Sequence, residues 1–445
     1  MIDQQIQLAH DLAERGEPDE ALRIASNILN ENPKEARALF IASYVFLQAE
    51  RYGLAYNLLK QASVIVPFRE QVWNNLGMCC MKMGFIDEAR AHLNKALKLN
   101  KDNYPAMNNL ALIEVNEGNP VKSLEYVNKS LTLNPDQWDV LETKGYASLM
   151  LGKWTDGWDG YEAMVGNTKQ RTCEPRINIP YWTGEAVNTL LVRGEQGIGD
   201  EIAFASVLND VRADVVLECD RRLEGLFKRS FPNAKVQGTR FDKIAQWPDV
   251  DAYCLIGSLA WHYRTKDGDF HGKPYLTADP QRKLQWRALL DSLGDKPKVG
   301  IAWNGGLKDT FTDRRSLDLE ALLPILKQDC TFISLEYKTP DVEAFEEKHG
   351  IKIHHFKHAT QTNDYDDTAA LVDELDLVIS VQTAVVHLCA GLGKECWTLI
   401  SNKPNWRYAT ERYMWGDSVT MYKQKKQWNE PVNAIADALK ARYGN

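Results

Sequence analysis

The chain has 445 residues, of which 44% are hydrophobic and 26% are charged, and its net charge is −8 at pH 7. This length is too great for one hydrophobic core, so the composition predicts two or three ordinary folded domains. The acidic balance argues against general nucleic-acid binding, which requires a basic surface.

Targeting and cysteine patterns favour a cytoplasmic protein without a transmembrane segment. The N-terminus MIDQQIQLAHD has early acidic residues and lacks the basic and then apolar order of a secretion signal. No apolar run approaches the roughly 20 residues that a membrane-spanning helix needs. The eight cysteines are scattered and form no C-x-x-C motif, so neither a zinc site nor a disulfide framework is predicted.

The first third of the chain repeats with a period of 34 residues. Each unit has a small residue late in its first helix, a glycine at the turn, an alanine in the second helix and a proline after it. The glycines and prolines that fall in register are Gly16, Gly84, Gly118, Gly152, Pro33, Pro67 and Pro135. Five such units, among them AMNNLALIEVNEGNPVKSLEYVNKSLTLNP, resemble tetratricopeptide repeats, and we predict a repeat array over residues 1–167.

Stacked helical hairpins bury their apolar flanks against their neighbours and leave a concave surface that suits an extended peptide. Asn75 and Asn109 occupy the same repeat position on the inner helix. Their amides can donate to and accept from a peptide backbone, and asparagine ladders hold polypeptide in O-linked N-acetylglucosamine transferases, which this arrangement resembles. We predict a peptide groove at these two residues; the alternative is that asparagine is simply common at this position.

Beyond the array the periodicity changes. Residues 168–188 contain prolines and a glycine without a helical period, which predicts a linker. Short β-branched runs then alternate with amphipathic stretches in two series, which start at TLLVR and at KVGIAW. This alternation predicts parallel sheets covered by helices. The fold class is therefore α followed by α/β, with a helical solenoid and two Rossmann-like domains over residues 189–280 and 281–445, and a closing helix near the C-terminus.

The turn GEQGIGDE joins the first predicted strand to a helix and carries Asp200 and Glu201 directly after its last glycine. The glycine order differs from the dinucleotide fingerprint G-x-G-x-x-G, although Glu218 and Asp220 lie where a ribose-binding acid would be expected. A helix N-terminus favours one anion, and the two acids already supply it. We predict that Asp200 faces a cleft as a general base; the alternative is that it only caps the helix. The predicted acceptor-side loop consists of Gln196, Gly197 and Gly199.

A second turn lies in VISVQTAVVHLCAGLGK, where an apolar strand ends and a helix begins near Thr383. No acid lies close to this helix start, so its amides are the better site for a diphosphate. His387 lies one turn into the helix on the same face as Thr383. It can hydrogen-bond a leaving phosphate oxygen; the alternative is a structural histidine.

Together the two turns carry a second resemblance. G-x-G-D in the first series and T-x-x-x-H-L-x-x-x-L-G in the second are similar to the bacterial heptosyltransferase group of GT-B glycosyltransferases. This resemblance implies that Asp200 is the catalytic base and that Thr383 and His387 contact the donor diphosphate. The chain departs from the pattern at Gln382, where heptosyltransferases usually have aspartate, so the donor differs or activity is lost.

Further donor-binding residues are predicted beside the second turn and after the strand KVGIAW. The loop WNGG points toward the cleft, and basic residues follow it in LKDTFTDRRSL. One of them can neutralise the departing diphosphate, as a metal does in other transferases. Among these we favour Arg315 over Arg314, with Lys308 third; an exposed charged loop is the alternative. The predicted donor-binding set is Trp303, Asn304, Gly305, Arg315, Gln382, Thr383 and Ala384.

We predict no metal site. Asp267-Gly-Asp269 and Asp249-Val-Asp251 match the D-x-D letters of metal-dependent transferases, but so short a pattern recurs by chance. The histidines at 354, 355 and 358 lack a carboxylate or cysteine partner at ligand spacing.

The predicted function is metal-independent, inverting transfer of a sugar from a nucleotide-sugar to a hydroxyl on a protein or a surface glycan. The nucleotide-sugar is a co-substrate, and no other cofactor is expected. Two alternatives remain: an inactive GT-B scaffold whose repeats bind a partner protein, and a dinucleotide-dependent oxidoreductase that uses the first sheet.

Overall fold

The computed structural model describes residues 2–168, 171–172, 178–242, 246–306, 312–338, 342–361 and 364–444. The chain divides into two compact units, Met1–Ala147 and Ser148–Asn445. The boundary between them falls before the predicted end of the repeat array at residue 167.

The first unit is built from helical hairpins in chain order. Small residues at one repeat position of the second helices are fully buried, which lets neighbouring helices approach closely: Ala21, Ala55, Ala89 and Ser123. The helices are α1 Ile2–Glu14, α2 Pro18–Glu31, α3 Ala36–Gln48, α4 Tyr52–Ile65, α5 Glu70–Lys82, α6 Ile86–Leu99, α7 Tyr104–Asn116, α8 Pro120–Leu133 and α9 Trp138–Met150, the last of which continues past Ala147.

The turns within the hairpins share a left-handed residue. Gly16, Gly84 and Gly118 have φ of 78°, 85° and 81° at this position, which glycine adopts without steric cost. The second hairpin has Glu50 there, and it adopts the same conformation with φ of 56°. The repeat geometry therefore holds even where the glycine is missing.

Two glycines of the array provide a matched test of its packing. A Cβ added at Gly77 in α5 would lie 2.5 Å from Leu93 Cγ, whereas a Cβ at Gly53 in α4 would meet nothing within 4 Å. We expect Gly77→Ala to destabilise the protein by about 1–3 kcal/mol through overpacking. Gly53→Ala is expected to stabilise it by about 0.5–1 kcal/mol. Urea unfolding followed by circular dichroism measures both, and equal effects of the two changes would contradict this packing.

The second unit begins with the end of α9 and with α10 (Trp154–Glu162), followed by a four-stranded sheet. All strand pairs of this sheet are parallel, and the strand order is β3-β2-β1-β4. Part of the predicted linker runs along its edge, because Tyr253 N donates to Pro180 O and Trp182 N donates to Tyr253 O. The elements are β1 Thr189–Arg193, α11 Ile198–Ala205, β2 Asp214–Glu218, α12 Glu224–Ser230, β3 Lys235–Gln237, β4 Ala252–Leu255 and α13 Ser258–Tyr263.

A six-stranded parallel sheet forms the rest of the second unit, in the order β10-β9-β8-β5-β6-β7. Its core joins residues from the central strands to residues of the last helix, including Ile301, Ile379 and Ile435. The elements are α14 Pro280–Asp291, β5 Lys298–Ala302, α15 Leu323–Leu326, β6 Thr331–Ser334, α16 Glu343–His349, β7 Ile353–His355, α17 Lys357–Thr360, α18 Asp366–Glu374, β8 Leu377–Val381, α19 Ala384–Leu392, β9 Cys396–Ile400, β10 Val419–Lys423 and α20 Asn429–Tyr443.

The two predicted series of strands and helices are thus confirmed as two parallel sheets that follow a helical array. Two strands were not predicted. AYCL forms β4 and VTMYK forms β10, each at one edge of its sheet.

Candidate functional site

Both predicted turns lie at topological switch points. In the first sheet β1 is paired with β2 on one side and with β4 on the other, and the GEQGIG loop follows β1. In the second sheet β5 is flanked by β6 and β8, and the second turn follows β8. In open parallel sheets, ligands bind beyond the carboxyl ends of strands at these points.

The starts of α11 and α19 meet at Gly199. A Cβ added at Gly199 would lie 3.1 Å from Ala384 Cα and 3.1 Å from His387 Cδ2. The absence of a side chain at this glycine therefore allows the contact. The predicted cleft is closed here, and the two turns touch.

Asp200 has two partners, one for each carboxylate oxygen. Its Oδ2 accepts a hydrogen bond from Gly197 N at 3.1 Å, which caps α11. Its Oδ1 lies 2.7 Å from Arg407 Nη2, and the Asp200 side chain is 25% exposed. Asp200 thus caps the helix with one carboxylate oxygen and forms an ion pair with the other.

Arg407 is the residue of this site that the sequence analysis missed. It lies in a short 3-10 turn, Trp406–Tyr408, after β9, with Asn405 accepting from Arg407 N. Its guanidinium is 4.2 Å from the centroid of the Trp406 ring and 5.2 Å from that of Phe204, and its side chain is only 7% exposed. The sequence signal is weak, because an arginine after a tryptophan in an irregular segment belongs to no motif.

The second acid of the turn, Glu201, is completely buried. Its carboxylate accepts from Asp220 N at 2.9 Å and pairs with Arg240. Burial raises the pKa of Glu201 to about 7, and the charge of Arg240 opposes that rise. Glu201 therefore ties the turn to the end of β2.

The acids that the dinucleotide interpretation requires are already paired. Glu218 is buried and lies 2.5 Å from Arg193 Nε, and Asp220 lies 2.8 Å from Arg222 Nη2. A ribose hydroxyl that bound to either acid would have to compete with an ion pair.

The predicted acceptor-side loop is held in a strained shape. Gln196 has φ of 58°, which is uncommon for a residue with a side chain. Its side-chain Nε2 donates to Tyr161 Oη at 2.6 Å, and its backbone carbonyl accepts from Arg240 Nη2 at 2.8 Å. These contacts fix the backbone immediately before Gly197 and Asp200.

At the second turn, Thr383 is the N-cap of α19 and its side chain makes no capping hydrogen bond. Gln382 is 2% exposed, and its Nε2 has no hydrogen-bond partner within the part of the chain that the structure describes. The backbone carbonyl of Gln382 accepts a hydrogen bond from Arg315 Nη1 at 3.0 Å. The structure thus brings Arg315 to the start of α19, beside Thr383 and Ala384.

His387 is buried between two tyrosines. Its Nδ1 contacts Tyr413 Oη, and its Nε2 lies 3.4 Å from Tyr408 Oη. The pKa of His387 is lowered to about 3, mainly by burial and then by the charge of Arg407, with a smaller contribution from Arg315, while Asp200 acts in the opposite direction. The imidazole is therefore neutral at pH 7. To bind a phosphate oxygen, its Nε2 must give up the long contact with Tyr408.

The main role of the WNGG loop in this site is to position Arg315, and the loop contributes few binding groups itself. Trp303 is buried in the core of the second sheet, and Glu336 Oε1 accepts from Trp303 N and Asn304 N at 2.7 and 2.9 Å. A Cβ at Gly305 would lie 2.4 Å from Arg315 Cγ, so this glycine makes room for the arginine. The Asn304 side chain is exposed.

Of the other two basic candidates in this segment, only one lies among the described residues. Arg314 ends a short 3-10 turn, Thr312–Arg314. Lys308 lies outside the described residues.

In the repeat array, the predicted pair Asn75 and Asn109 is joined through Asn74. Asn109 Nδ2 donates to Asn74 Oδ1 at 3.0 Å, and Asn74 Nδ2 donates to Asn75 Oδ1 at 3.1 Å. All three side chains are half-buried. The amides form a short relay from α7 to α5, and the peptide groove remains a prediction.

The D-x-D and histidine motifs make ordinary structural contacts. Asp267 accepts from Trp154 Nε1, Asp251 accepts from Thr189 N, and His358 stacks on Trp286. In the described ranges no group of three or more histidine, cysteine, aspartate or glutamate residues is arranged to hold a metal ion.

Comparison with known proteins identifies the repeats. The family described as Tetratricopeptide repeat matches residues 6–68 and residues 70–103, so the predicted tetratricopeptide repeats are confirmed. Among solved structures, pilF of Pseudomonas aeruginosa has 23% identity, covers 38% of this chain and 77% of its own, and has a TM-score of 0.34. TTC0263, a TPR protein of Thermus thermophilus, has 19% identity, 37% and 90% coverage, and a TM-score of 0.33.

One relative extends beyond the repeats. Protein FlbA of Caulobacter vibrioides is 27% identical over 423 residues, which span 88% of this chain and 71% of FlbA. Within the described helices of this chain, none is both long and apolar enough to cross a membrane.

Proposed function

We propose that the unit Ser148–Asn445 is a GT-B glycosyltransferase that transfers a sugar from a nucleotide-sugar to a hydroxyl group. The observation that carries this proposal is the contact at Gly199. At this contact the turn after β1, which carries Asp200, meets the N-terminus of α19 after β8, at the switch points of both sheets. A base and a diphosphate site are the two elements that such a transfer needs.

In the proposed reaction Asp200 removes the proton of the acceptor hydroxyl. The acceptor oxygen then bonds to the anomeric carbon while the bond from that carbon to the diphosphate oxygen breaks. The nucleoside diphosphate leaves, and the configuration at the anomeric carbon inverts because the displacement is direct. The amides at the start of α19 stabilise the leaving diphosphate, and Arg315 and Arg407 supply positive charge without a metal.

The array Met1–Ala147 has the proposed role of recruiting the acceptor. Tetratricopeptide repeats stack into a concave surface that suits extended polypeptide, and the relay from Asn109 to Asn75 offers amide groups on its inner helices. A polypeptide acceptor is therefore proposed ahead of a glycan.

An inactive scaffold is the second candidate, and Gln382 is the observation that favours it. A neutral, buried amide stands where the similar heptosyltransferases usually have aspartate, and its Nε2 is unpartnered among the residues described. In this alternative the repeats bind a partner protein and the second unit performs no chemistry.

A ligand panel separates these candidates. The full chain is melted with UDP-, GDP- and ADP-sugars, with the matching free nucleoside diphosphates, and with NAD(P). A ligand at a hundred times its dissociation constant raises stability by about 2.7 kcal/mol. Stabilisation by one nucleotide-sugar and its nucleotide, together with nucleotide release from that sugar, supports the transferase. Stabilisation by none points to the scaffold, and stabilisation by NAD(P) alone points to an oxidoreductase.

A further inference from the structure

We propose that Arg407 holds the Asp200 carboxylate in an ion pair until the diphosphate of the donor takes over its guanidinium, so that the donor must bind before the acceptor can be deprotonated. This inference rests on the proposed function and adds an order of events to it. It also assigns Arg407 as a diphosphate-binding residue.

The carboxylate is occupied as it stands in the structure. One oxygen caps α11 through Gly197 N, and the other lies 2.7 Å from Arg407 Nη2. A general base must place an oxygen within hydrogen-bond reach of the proton it removes. While the ion pair lasts, the guanidinium lies against Oδ1 and competes with an acceptor hydroxyl for that oxygen.

Arg407 is placed to accept a different anion. Its side chain is 7% exposed, and its guanidinium carbon lies 4.2 Å from the centroid of the Trp406 ring. Its charge is therefore mostly removed from water and requires a counter-charge. Arg315 Nη1 donates to the backbone carbonyl of Gln382 at the start of α19. Arg407 pairs with Asp200, which follows the glycine that contacts Ala384 in α19. Two guanidiniums therefore lie beside one helix N-terminus.

A diphosphate is the stronger partner of the two anions. It carries more negative charge than one carboxylate, and the planar guanidinium binds two phosphate oxygens side by side. The start of α19 adds the partial positive charge of its amides on the same side. When a diphosphate binds there, Arg407 exchanges its ion pair with Asp200 for one with phosphate, and Asp200 Oδ1 becomes available to the acceptor.

Inorganic pyrophosphate is a suitable probe, because it presents the diphosphate without a base or sugar. We expect isothermal titration of the full chain to show about tenfold tighter pyrophosphate binding in Asp200→Asn than in the wild type, since the competing carboxylate is gone. The Asn side chain can still accept from Gly197 N and cap the helix. The matched control is Asp417→Asn, which removes the partner of Arg412 in an exposed ion pair of the same type and should leave pyrophosphate affinity unchanged.

The arginine variants complete the test. Arg407→Gln is expected to weaken pyrophosphate binding by about tenfold or more, and the gain from Asp200→Asn should disappear in the double variant. Arg412→Gln is the matched control. If Arg407→Gln does not fold by circular dichroism, Arg407→Lys keeps a charge and loses the paired hydrogen bonds, so it should bind pyrophosphate less tightly than the wild type.

Three results would overturn the proposal: equal pyrophosphate affinity in Asp200→Asn and the wild type, a gain that persists without Arg407, or no binding to either protein. The failure of the proposed function looks different. Tighter pyrophosphate binding in Asp200→Asn, with no turnover of any nucleotide-sugar by the wild type, would keep the ion-pair exchange and remove the transferase. Turnover of a nucleotide-sugar by the wild type, with equal pyrophosphate affinity in the wild type and Asp200→Asn, would keep the transferase and remove the ion-pair exchange.

Discussion

Asp200→Asn is expected to lower the rate of sugar transfer by about 10²- to 10⁴-fold, the usual contribution of a positioned general base. The asparagine keeps the shape of the side chain and can still accept from Gly197 N, so α11 should begin at the same residue. What it loses is the ability to take the acceptor proton. Initial rates at saturating nucleotide-sugar measure the effect.

Donor binding separates this loss from simple damage to the site. Asp200→Asn should still bind the nucleotide. If the ion-pair exchange operates, it should also bind pyrophosphate more tightly than the wild type does. Asp417→Asn serves again as the control, because its carboxylate is 69% exposed and pairs with the half-exposed Arg412. Turnover by Asp200→Asn at the rate of this control would remove Asp200 from the mechanism.

Trp158→Ala is expected to destabilise the protein by about 3–5 kcal/mol, as is typical when a buried large aromatic side chain is truncated. Trp158 in α10 is fully buried. Its ring centroid lies 6.4 Å from that of Phe204 in α11 and 5.6 Å from that of Trp406, the residue before Arg407. The indole thus contacts neighbours of both partners in the Asp200–Arg407 pair. Urea unfolding followed by circular dichroism gives the free energy.

Two further variants show whether packing is the cause. Trp158→Phe keeps an aromatic ring but loses the hydrogen bond from Nε1 to Arg264 O, so it should cost less, about 1–3 kcal/mol. Trp138→Ala changes a tryptophan that is 44% exposed at the start of α9, and a change within about 0.5 kcal/mol is expected. Similar losses for Trp138→Ala and Trp158→Ala would argue against the aromatic core.

Much of the architecture could be predicted because it depends on local periodicity. A helical hairpin repeats its small and apolar residues every 34 positions, and a left-handed turn favours glycine. Alternating strands and helices imply a parallel sheet, and the residues that follow β1 and β8 must lie at carboxyl ends. The two edge strands β4 and β10 were not recognised, although β3 and β7 are shorter and were predicted.

The roles of single side chains were predicted less well than the architecture. Trp303 was predicted to bind the donor, and the structure buries it in the core. Glu201 looked like a second acid at the helix start, and it is instead a buried partner of Arg240. Burial and pairing depend on neighbours from distant parts of the chain, and no local spacing reports them.

By itself, the sequence determined the repeat array, the two sheets and the position of both turns, since the geometry of helices and strands is set by residues close together in the chain. Only the tertiary structure decided that Gly199 touches Ala384 and that Arg407 pairs with Asp200. These contacts join helices and turns that follow strands of two different sheets, and they exist only because the packing of the two sheets brings the helix starts together.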